Sequence, residues 1–203
     1  MRRANRAHLS GPAKPDGLTF RSTNQNIDLS GHSRPSFFLQ FALAAELGAL
    51  PDFRRAAYYV GYSEGWGFYA ESLGDEIGVY DDAKAKLGAL SYEMWRAVRL
   101  VVDTGMHAFG WSRERAIAYF FDNAAKTKLD VTNEIDRYIT DPGQALAYKI
   151  GQLKILELRD RARRRLGARF DLRDFHAVVL GAGSLPLDVL ERRVDAWLAR
   201  GAA

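Results

Sequence analysis

The sequence contains no cysteine in 203 residues, which excludes disulfides, thiol catalysis and thiolate metal sites. Histidine is also scarce, with four residues, so a metal site would need carboxylates as well as imidazoles. No apolar run approaches the ~18 residues of a membrane span, and no apolar stretch follows the basic start as it would in a signal peptide. We therefore expect a protein that does not span a membrane. Its predicted location is the cytoplasm by default, with export expected only if the true N-terminus is longer.

Charge of one sign is not abundant either. Lysine and arginine total 29 against 25 acidic residues, and the net charge of +4 gives only a weak attraction to polyanions. The one dense basic run, Arg159–Arg165, has no aromatic platform beside it and is typical of a solvated helix face. We expect no nucleic-acid partner.

The chain does contain a helical hydrophobic period from Pro35 onward, without an alternating strand pattern. The predicted fold class is all-α, a multi-helix bundle or array of about seven to eight helices in one domain over residues 35–200. Residues 1–34 are rich in Gly, Pro, Ser, Asn and Arg, and we predict an extended or poorly ordered arm. Ser112 and Asp171 are predicted N-caps, and Asp141 with Pro142 is predicted to open a further helix.

One apolar helix carries a line of polar residues. Arg99, Asp103 and His107 recur every fourth residue, so at ~100° per residue they share one face. Asp103 can pair with either neighbour, and a carboxylate that orients an imidazole is common in acid–base sites. Burial of these charges requires partners or a wet cleft. Cleft lining and structural pairing both remain open.

A second polar set follows Pro142. Gln144, Tyr148 and Gln152 are spaced by four residues among apolar neighbours, and Tyr138 lies shortly before them. A phenol and an amide in this setting either bind a substrate or bond to each other, and the second interpretation is favoured.

The remaining polar candidates have simpler local patterns. Glu64, Glu71 and Asp75 lie opposite an aromatic stripe, which favours solvent as their partner. His176, alone on an apolar face, is typical of a hydrogen-bonded core histidine rather than a metal ligand.

From about Leu50 to Ala199 the chain resembles the C-terminal part of the domain-of-unknown-function 885 family, bacterial helical proteins similar to zinc metallopeptidases. Family members are typically far longer, so the resemblance implies that this chain covers the last third. Four stretches in the family's order carry it: "YSEGWGFYAESLGDEIGVY", "RAVRLVVDTGMHAFGWSRERAI", "EIDRYITDPGQALAYKIGQLKI" and "LGARFDLRDFHAVVLGAGSLPLDVLE".

The metal motif of that family reads His-Glu-x-x-Pro-Gly-His-His-x-Gln, and "GHSRPSFFLQ" stands in its place. Gly31 replaces the first histidine and His32 replaces the glutamate. Phe37 and Phe38 replace the histidine pair, and phenylalanine cannot coordinate zinc. The resemblance therefore implies a degenerate metal site.

The same resemblance implies roles for other residues. Glu64 would supply a metal ligand from the next helix and would point inward, against its local pattern. A site rebuilt from His32, Glu64 and His107 has suitable ligand types, but nothing in the sequence fixes their distances. The cleft would be lined by the candidate catalytic residues His107, Asp103, Arg99 and Tyr148 and by the candidate substrate-binding residues Tyr138 and Gln144.

The leading hypothesis is a truncated or degenerate member that keeps the helical scaffold and part of the cleft. It would hold no cofactor and would lack zinc-dependent peptide or amide hydrolysis, since zinc belongs to the full-length family. One rival is an interaction module that docks on a missing N-terminal helical segment or self-associates through uncovered apolar faces. Another is a peptide or small-molecule binder that uses the remaining cleft.

Overall fold

A computed structural model describes residues 34–48, 50–80 and 82–201, with side chains from Phe38 onward. These ranges contain nine α-helices, eight of them at least seven residues long, and no strand. The all-α prediction is confirmed. Residues 1–33 of the predicted N-terminal arm lie outside the described residues. The predicted domain limits stay a prediction.

The helices follow one another with short connections. They are α1 (Arg34–Glu46), α2 (Asp52–Ala56), α3 (Val60–Glu76), α4 (Ala83–Phe109), α5 (Arg113–Asn123), α6 (Lys128–Thr140), α7 (Ala147–Leu166), α8 (Leu172–Leu180) and α9 (Leu187–Arg200).

Local capping chemistry sets several of these helix ends. The side chains of Ser112 and Asp171 accept backbone N–H groups at the starts of α5 and α8, as predicted. The prediction that Asp141 and Pro142 open a helix is wrong. Asp141 follows the end of α6, Gly143 has a left-handed φ of 84°, and a 3₁₀ turn over Gln144–Leu146 precedes α7.

The most extensive helix contact joins α3 to α7. It is a backbone contact, because a Cβ atom at Gly65 would lie 2.4 Å from the Gly151 Cα. A Cβ atom at Gly151 would lie 1.9 Å from the Gly61 carbonyl oxygen. Only glycine permits this approach, and it brings the side chains beside Gly65 and Gly151 close to one another.

Two apolar clusters fill the interior. The first joins α3, α7, α8 and α9 and includes the fully buried rings of Tyr62, Tyr69 and Phe175. The second joins α4, α5 and α6 around Phe120, Ile135 and other buried residues. The part of the chain that the structure describes holds no helix long and apolar enough to cross a bilayer.

The basic run on α7 is not a purely solvated face. Arg159 is buried and donates two hydrogen bonds to the Glu76 carboxylate, one of 2.6 Å. Arg161 pairs with Glu157, Glu191 and Asp195. These arginines tie α7 to α3 and α9, so part of the run is committed to structural pairing.

The contact between Gly65 and Gly151 predicts that one added methyl group strongly lowers the free energy of unfolding. We expect Gly151→Ala to lower the free energy of unfolding by about 3 kcal/mol, because α3 and α7 must separate to admit the Cβ atom. Gly48→Ala is the matched control, since nothing lies within 4 Å of its added Cβ. Urea unfolding measures both variants, and equal midpoints would show that the helices do not approach this closely.

Candidate functional site

The polar line of α4 faces α6 and the turn that follows it. Buried Arg99 donates through Nε to the Tyr138 hydroxyl at 2.6 Å and through Nη2 to Glu134 Oε2 at 2.9 Å. The Tyr138 hydroxyl in turn donates to Glu134, and Trp95 Nε1 donates to it at 3.3 Å. The Glu134 carboxylate lies between the guanidinium groups of Arg99 and Arg137, so the ion pair offsets part of the cost of burying Arg99. Arg99 Nη1 is buried without a hydrogen-bond partner among the described residues.

Asp103 and His107 bind backbone groups rather than each other. Both carboxylate oxygens of Asp103 accept the Gly143 N–H at 3.2 Å, and His107 Nε2 lies 3.0 Å from the Tyr138 carbonyl oxygen. Burial raises the pKa of Asp103, and the bond from Gly143 and the charge of His107 only partly oppose this. Among the described residues Asp103 forms no ion pair with Arg99, so the simple i, i+4 pairing does not occur.

These contacts anchor the segment from Glu134 to Gly143 on α4. They favour the structural interpretation for Asp103, while the ring of His107 remains exposed at the end of the line. The catalytic roles of Arg99, Asp103 and His107 stay predictions.

The Tyr138 side chain is fully buried and its hydroxyl already has three polar partners. Burial raises the pKa of this phenol well above its usual range. These contacts favour a structural role in which Tyr138 positions the Arg99 guanidinium, and the predicted contact of Tyr138 with substrate stays a prediction.

The Glu64 carboxylate is the second focus of the structure. Glu64 is 7% exposed, so the local pattern that favours solvent is misleading and the inward orientation implied by the family resemblance is correct. The residue precedes Gly65, which packs on Gly151 of α7. Its carboxylate interacts with the Tyr148 hydroxyl of α7. Tyr58, between α2 and α3, approaches the same carboxylate.

The two phenols next to Glu64 stay protonated at neutral pH. Burial and the negative charge of Glu64 raise the pKa of Tyr58 to about 12, and the same two causes raise the pKa of Tyr148. A neutral phenol can donate a hydrogen bond to a developing oxyanion, and a buried carboxylate can hold a cation or accept a proton. The group therefore combines hydrogen-bond donors with a negatively charged acceptor.

Guanidinium groups stack on the ring of Tyr148. The Arg99 Cζ lies 4.8 Å and the Arg96 Cζ 5.7 Å from its centroid. Arg96 also lies 5.2 Å from the centroids of Phe68 and Tyr92, and burial lowers its pKa. The positive charges offset the carboxylates of this region through cation–π and Coulomb contacts.

Sequence reasoning missed Tyr58, Arg96 and Glu134. Arg96 is one turn before Arg99 on the same apolar helix, so the burial argument for Arg99 applied to it as well. Glu134 lies four residues before Tyr138 on α6, a spacing that predicts contact. Nothing in the local pattern around Tyr58 indicated its role.

The amides predicted near Tyr148 are bonded within the protein. Gln144 accepts from Arg137 at 2.9 Å and lies 3.5 Å from the Tyr148 hydroxyl. Gln152 accepts from Lys149 and donates to the Phe68 carbonyl. Gln144 is half-buried at the rim of the Glu64 group, so its predicted contact with substrate stays a prediction.

Helix α1, where the family resemblance implies a degenerate metal motif, packs against α3. Gln40 of α1 is buried, and its Nε2 donates to the carbonyl oxygen of Ser63, the residue before Glu64. Phe38, one of the two phenylalanines of that implied motif, is 60% exposed. Gly31 and His32 lie outside the described residues, as does the side chain of Phe37.

The described residues around Glu64 do not fit a zinc ion. Structural and catalytic zinc sites use at least three nitrogen, sulfur or carboxylate ligands. The groups that face Glu64 are phenols, and no cluster of three His, Cys, Asp or Glu side chains in the described ranges could hold a metal ion.

His176 is half-buried and hydrogen-bonded within the protein. The ring lies 2.8 Å from the Tyr69 hydroxyl and packs edge-on against Trp66. Burial, assisted by the charge of Arg159, lowers the pKa of His176 to about 4, so the ring is neutral near pH 7.

Fold and site together define an all-α protein in which close-packed inner helices hold a carboxylate between phenols and guanidinium groups. Residues 31–194 match the family described as bacterial protein of unknown function (DUF885). The chain belongs to this family.

The chain is also similar to a solved structure, that of a candidate lipoprotein from Colwellia psychrerythraea, with 48% sequence identity and a TM-score of 0.79. The match covers 82% of this chain and 28% of that one, so this chain spans less than a third of the length of that relative. No functionally curated protein matches the chain.

This similarity contradicts the cytoplasmic prediction. The relative is described as a candidate lipoprotein, and lipoproteins are held at a membrane surface by acyl chains. The prediction rested on the residues after Met1. A chain that spans 28% of its relative gives no guide to the leader of a whole protein.

The hydrogen-bond network at Arg99 predicts that a substitution on α6 lowers stability. Burial would raise the pKa of Glu134, but the Tyr138 hydroxyl and the charges of Arg99 and Arg137 hold it below its ordinary value. We expect Glu134→Gln to cost about 2 kcal/mol at pH 7, because Arg99 loses its buried counter-charge.

The control is Asp136→Asn on the same helix, which breaks an exposed pair with Arg113 and should change little. A carboxylate whose pKa is lower in the folded state than in the unfolded state stabilises the protein at pH values above its unfolded-state pKa. This contribution is lost as the pH falls through the folded-state pKa. The difference between Glu134→Gln and the parent, measured by urea unfolding, should therefore shrink toward low pH. Equal stability of both variants at pH 7 would contradict the network.

Proposed function

We propose that this chain forms one wall of the substrate cleft of a metallopeptidase-like helical protein, with Glu64 as the metal-ligand position of that wall. The parent reaction is zinc-assisted hydrolysis of a peptide or amide bond. This chain by itself lacks that reaction, because phenylalanines replace the paired histidines of the first helix. By similarity to the candidate lipoprotein, we place the function outside the cytoplasm.

The observation that carries this proposal is the burial of Glu64 between two protonated phenols. A carboxylate is removed from water only at a cost, so a buried carboxylate at a helix crossing needs a stabilising environment. Tyr148 and Tyr58 supply hydrogen-bonding hydroxyls, and Arg99 supplies positive charge behind the Tyr148 ring. Perturbed groups of this kind concentrate at functional sites.

The position of α1 gives independent support. Gln40 corresponds to the final glutamine of the family's metal motif, and it is bonded to the carbonyl beside Glu64. The helix that would carry the histidines therefore packs against the helix that carries the third ligand. This is the arrangement that a zinc site assembled from two helices requires.

Restoring the motif tests the assignment of Glu64. We expect a chain with Gly31→His, His32→Glu, Phe37→His and Phe38→His to bind about one zinc ion, measured by mass spectrometry after dialysis. Adding Glu64→Gln should abolish this binding. Adding Asp75→Asn, an exposed carboxylate of the same helix, should leave it intact.

The unchanged chain serves as the reference, with no stoichiometric zinc and no chelator-sensitive turnover of a peptide library. Circular dichroism checks that all variants keep their helices. Zinc uptake that does not depend on Glu64, or zinc-dependent hydrolysis by the unchanged chain, would overturn the proposal.

A second candidate function is docking on the remainder of a larger helical fold. Leu87, Leu90 and Met94 form an apolar stripe on α4 and are each at least half exposed. Phe41 of α1 is also exposed, and its ring stacks on Tyr58 with centroids 6.4 Å apart. Apolar surface therefore reaches the Glu64 group. Since the chain spans 28% of its relative, we propose that the rest of the family fold covers this surface.

A binding measurement tests this docking. The ligand is the part of the Colwellia psychrerythraea protein outside the match, produced separately and titrated with this chain. We expect association that Met94→Glu weakens by about tenfold, because it places a charge in an apolar contact. Lys84→Glu, at an exposed position of the same helix, is the control. A chain that stays monomeric and fails to bind that segment would contradict the docking function.

A further inference from the structure

Two phenol hydroxyl groups of α3 bind α8. The Tyr62 hydroxyl donates to the Val179 carbonyl oxygen at 2.9 Å, and the Tyr69 hydroxyl lies 2.8 Å from Nε2 of His176. Both phenol side chains are fully buried. Only the second bond involves a group that changes charge near neutral pH, because imidazole titrates there and a backbone carbonyl does not.

The surroundings of the Tyr69 hydroxyl fix the direction of its hydrogen bond. The Arg159 guanidinium lies beside the ring, with Cζ 5.9 Å from the ring centroid, and its charge acts on the hydroxyl. A guanidinium can only donate hydrogen bonds. Burial raises the pKa of Tyr69 to about 12, so the phenol keeps its proton at neutral pH. That proton is therefore directed at His176, which makes Nε2 the acceptor and leaves the ring proton on Nδ1.

Protonation of His176 is incompatible with this arrangement. Nε2 accepts a hydrogen bond only in the neutral ring, whereas both nitrogens of the imidazolium donate. Two donors would then face each other inside the protein. The Tyr69 hydroxyl would have to rotate to become the acceptor, and its own proton would lose its present acceptor in a fully buried position.

The charges around His176 also oppose an imidazolium. Arg159 of α7 acts against the charged ring, and Glu76 of α3 acts in its favour. The Glu76 carboxylate is already bonded to Arg159, and Arg163 of α7 adds a further positive charge beside it. The other charged groups near this part of α8 are exposed or bonded to backbone: Arg173 and Asp174 of α8 and Arg193 of α9.

We propose that the contact between Tyr69 and His176 is a proton-sensitive latch, which holds α8 on α3 at neutral pH and releases it in acid. Release would uncover apolar side chains that α8 contributes to the first cluster, such as Phe175 and Val179, which are fully buried in the structure. The latch uses no residue of the Glu64 group and is independent of the proposed cleft.

Nuclear magnetic resonance of the full ¹⁵N-labelled chain tests the direction of the bond. We expect the His176 ring to be the Nδ1–H tautomer at pH 7. It should gain a second proton only well below pH 6.5, because burial and the charge of Arg159 lower its pKa to about 4. His176→Gln assigns the signals. An Nε2–H tautomer, or protonation at the ordinary histidine value, would overturn the proposal.

Urea unfolding tests the coupling between this proton and stability. A histidine whose pKa is lower in the folded state binds its proton more readily after unfolding, so stability falls as the pH drops from about 6.5 toward 4. Between pH 7 and pH 4.5, we expect the unfolding equilibrium constant to rise about fiftyfold more in the parent than in His176→Gln. His107→Gln, which removes an exposed histidine, should follow the parent. Equal pH dependence of the parent and His176→Gln would contradict the latch.

Two matched variants separate the latch from ordinary packing. Tyr69→Phe removes the donor to His176 and should raise the pKa of that ring toward its ordinary value, because the neutral ring loses its hydrogen bond. Tyr62→Phe removes the other phenol bond and should lower stability by the same factor at pH 7 and pH 4.5. A His176 pKa that is unchanged in Tyr69→Phe, or shifted equally in Tyr62→Phe, would show that the Tyr69 hydroxyl does not act as the latch.

Hydrogen exchange locates the release. Between pH 7 and pH 4.5, the protection factors of backbone amides in α8 should fall about tenfold more than those in α6, which belongs to the second apolar cluster. In His176→Gln this difference should disappear. An equal fall in α8 and α6 of the parent would indicate general acid destabilisation and would rule out a latch at α8.

Discussion

The close approach of two helix backbones determines how this protein places its chemistry. Gly65 and Gly151 leave no room for a side chain between α3 and α7. Glu64, the residue before Gly65, and Tyr148, about one turn before Gly151, interact near this crossing. A wider crossing would leave Glu64 in a gap that water could fill, and its effect on the neighbouring phenols would weaken.

The charged groups of the interior are arranged in layers around this crossing. Glu64 lies next to phenol groups, the guanidinium of Arg99 stacks on the Tyr148 ring, and Arg99 forms an ion pair with Glu134. Each of these buried charges thus has an aromatic or ionic neighbour, which offsets part of the free-energy cost of removing the charge from water. The same layering fixes α6 and its following turn on α4, because Asp103 binds the Gly143 N–H.

The surface has a different character from the interior. A large share of the apolar side chains on α1 and α4 is exposed, and a relative of much greater length shares this fold. Exposed apolar stripes at helical spacing are costly for an isolated protein and ordinary for a portion of a larger one.

The sequence by itself determined the all-α class and the N-caps Ser112 and Asp171, because these depend on short-range periodicity and local hydrogen bonds. The family resemblance further indicated that Glu64 points inward. Only the tertiary structure decided that Tyr138 is sealed behind Arg99 and that Tyr58 joins the Glu64 group. It also decided that Asp141 and Pro142 open no helix, because Gly143 and a 3₁₀ turn over Gln144–Leu146 precede α7. The reason is physical: each of these outcomes depends on contacts between segments far apart in the chain, whose distances no local pattern encodes.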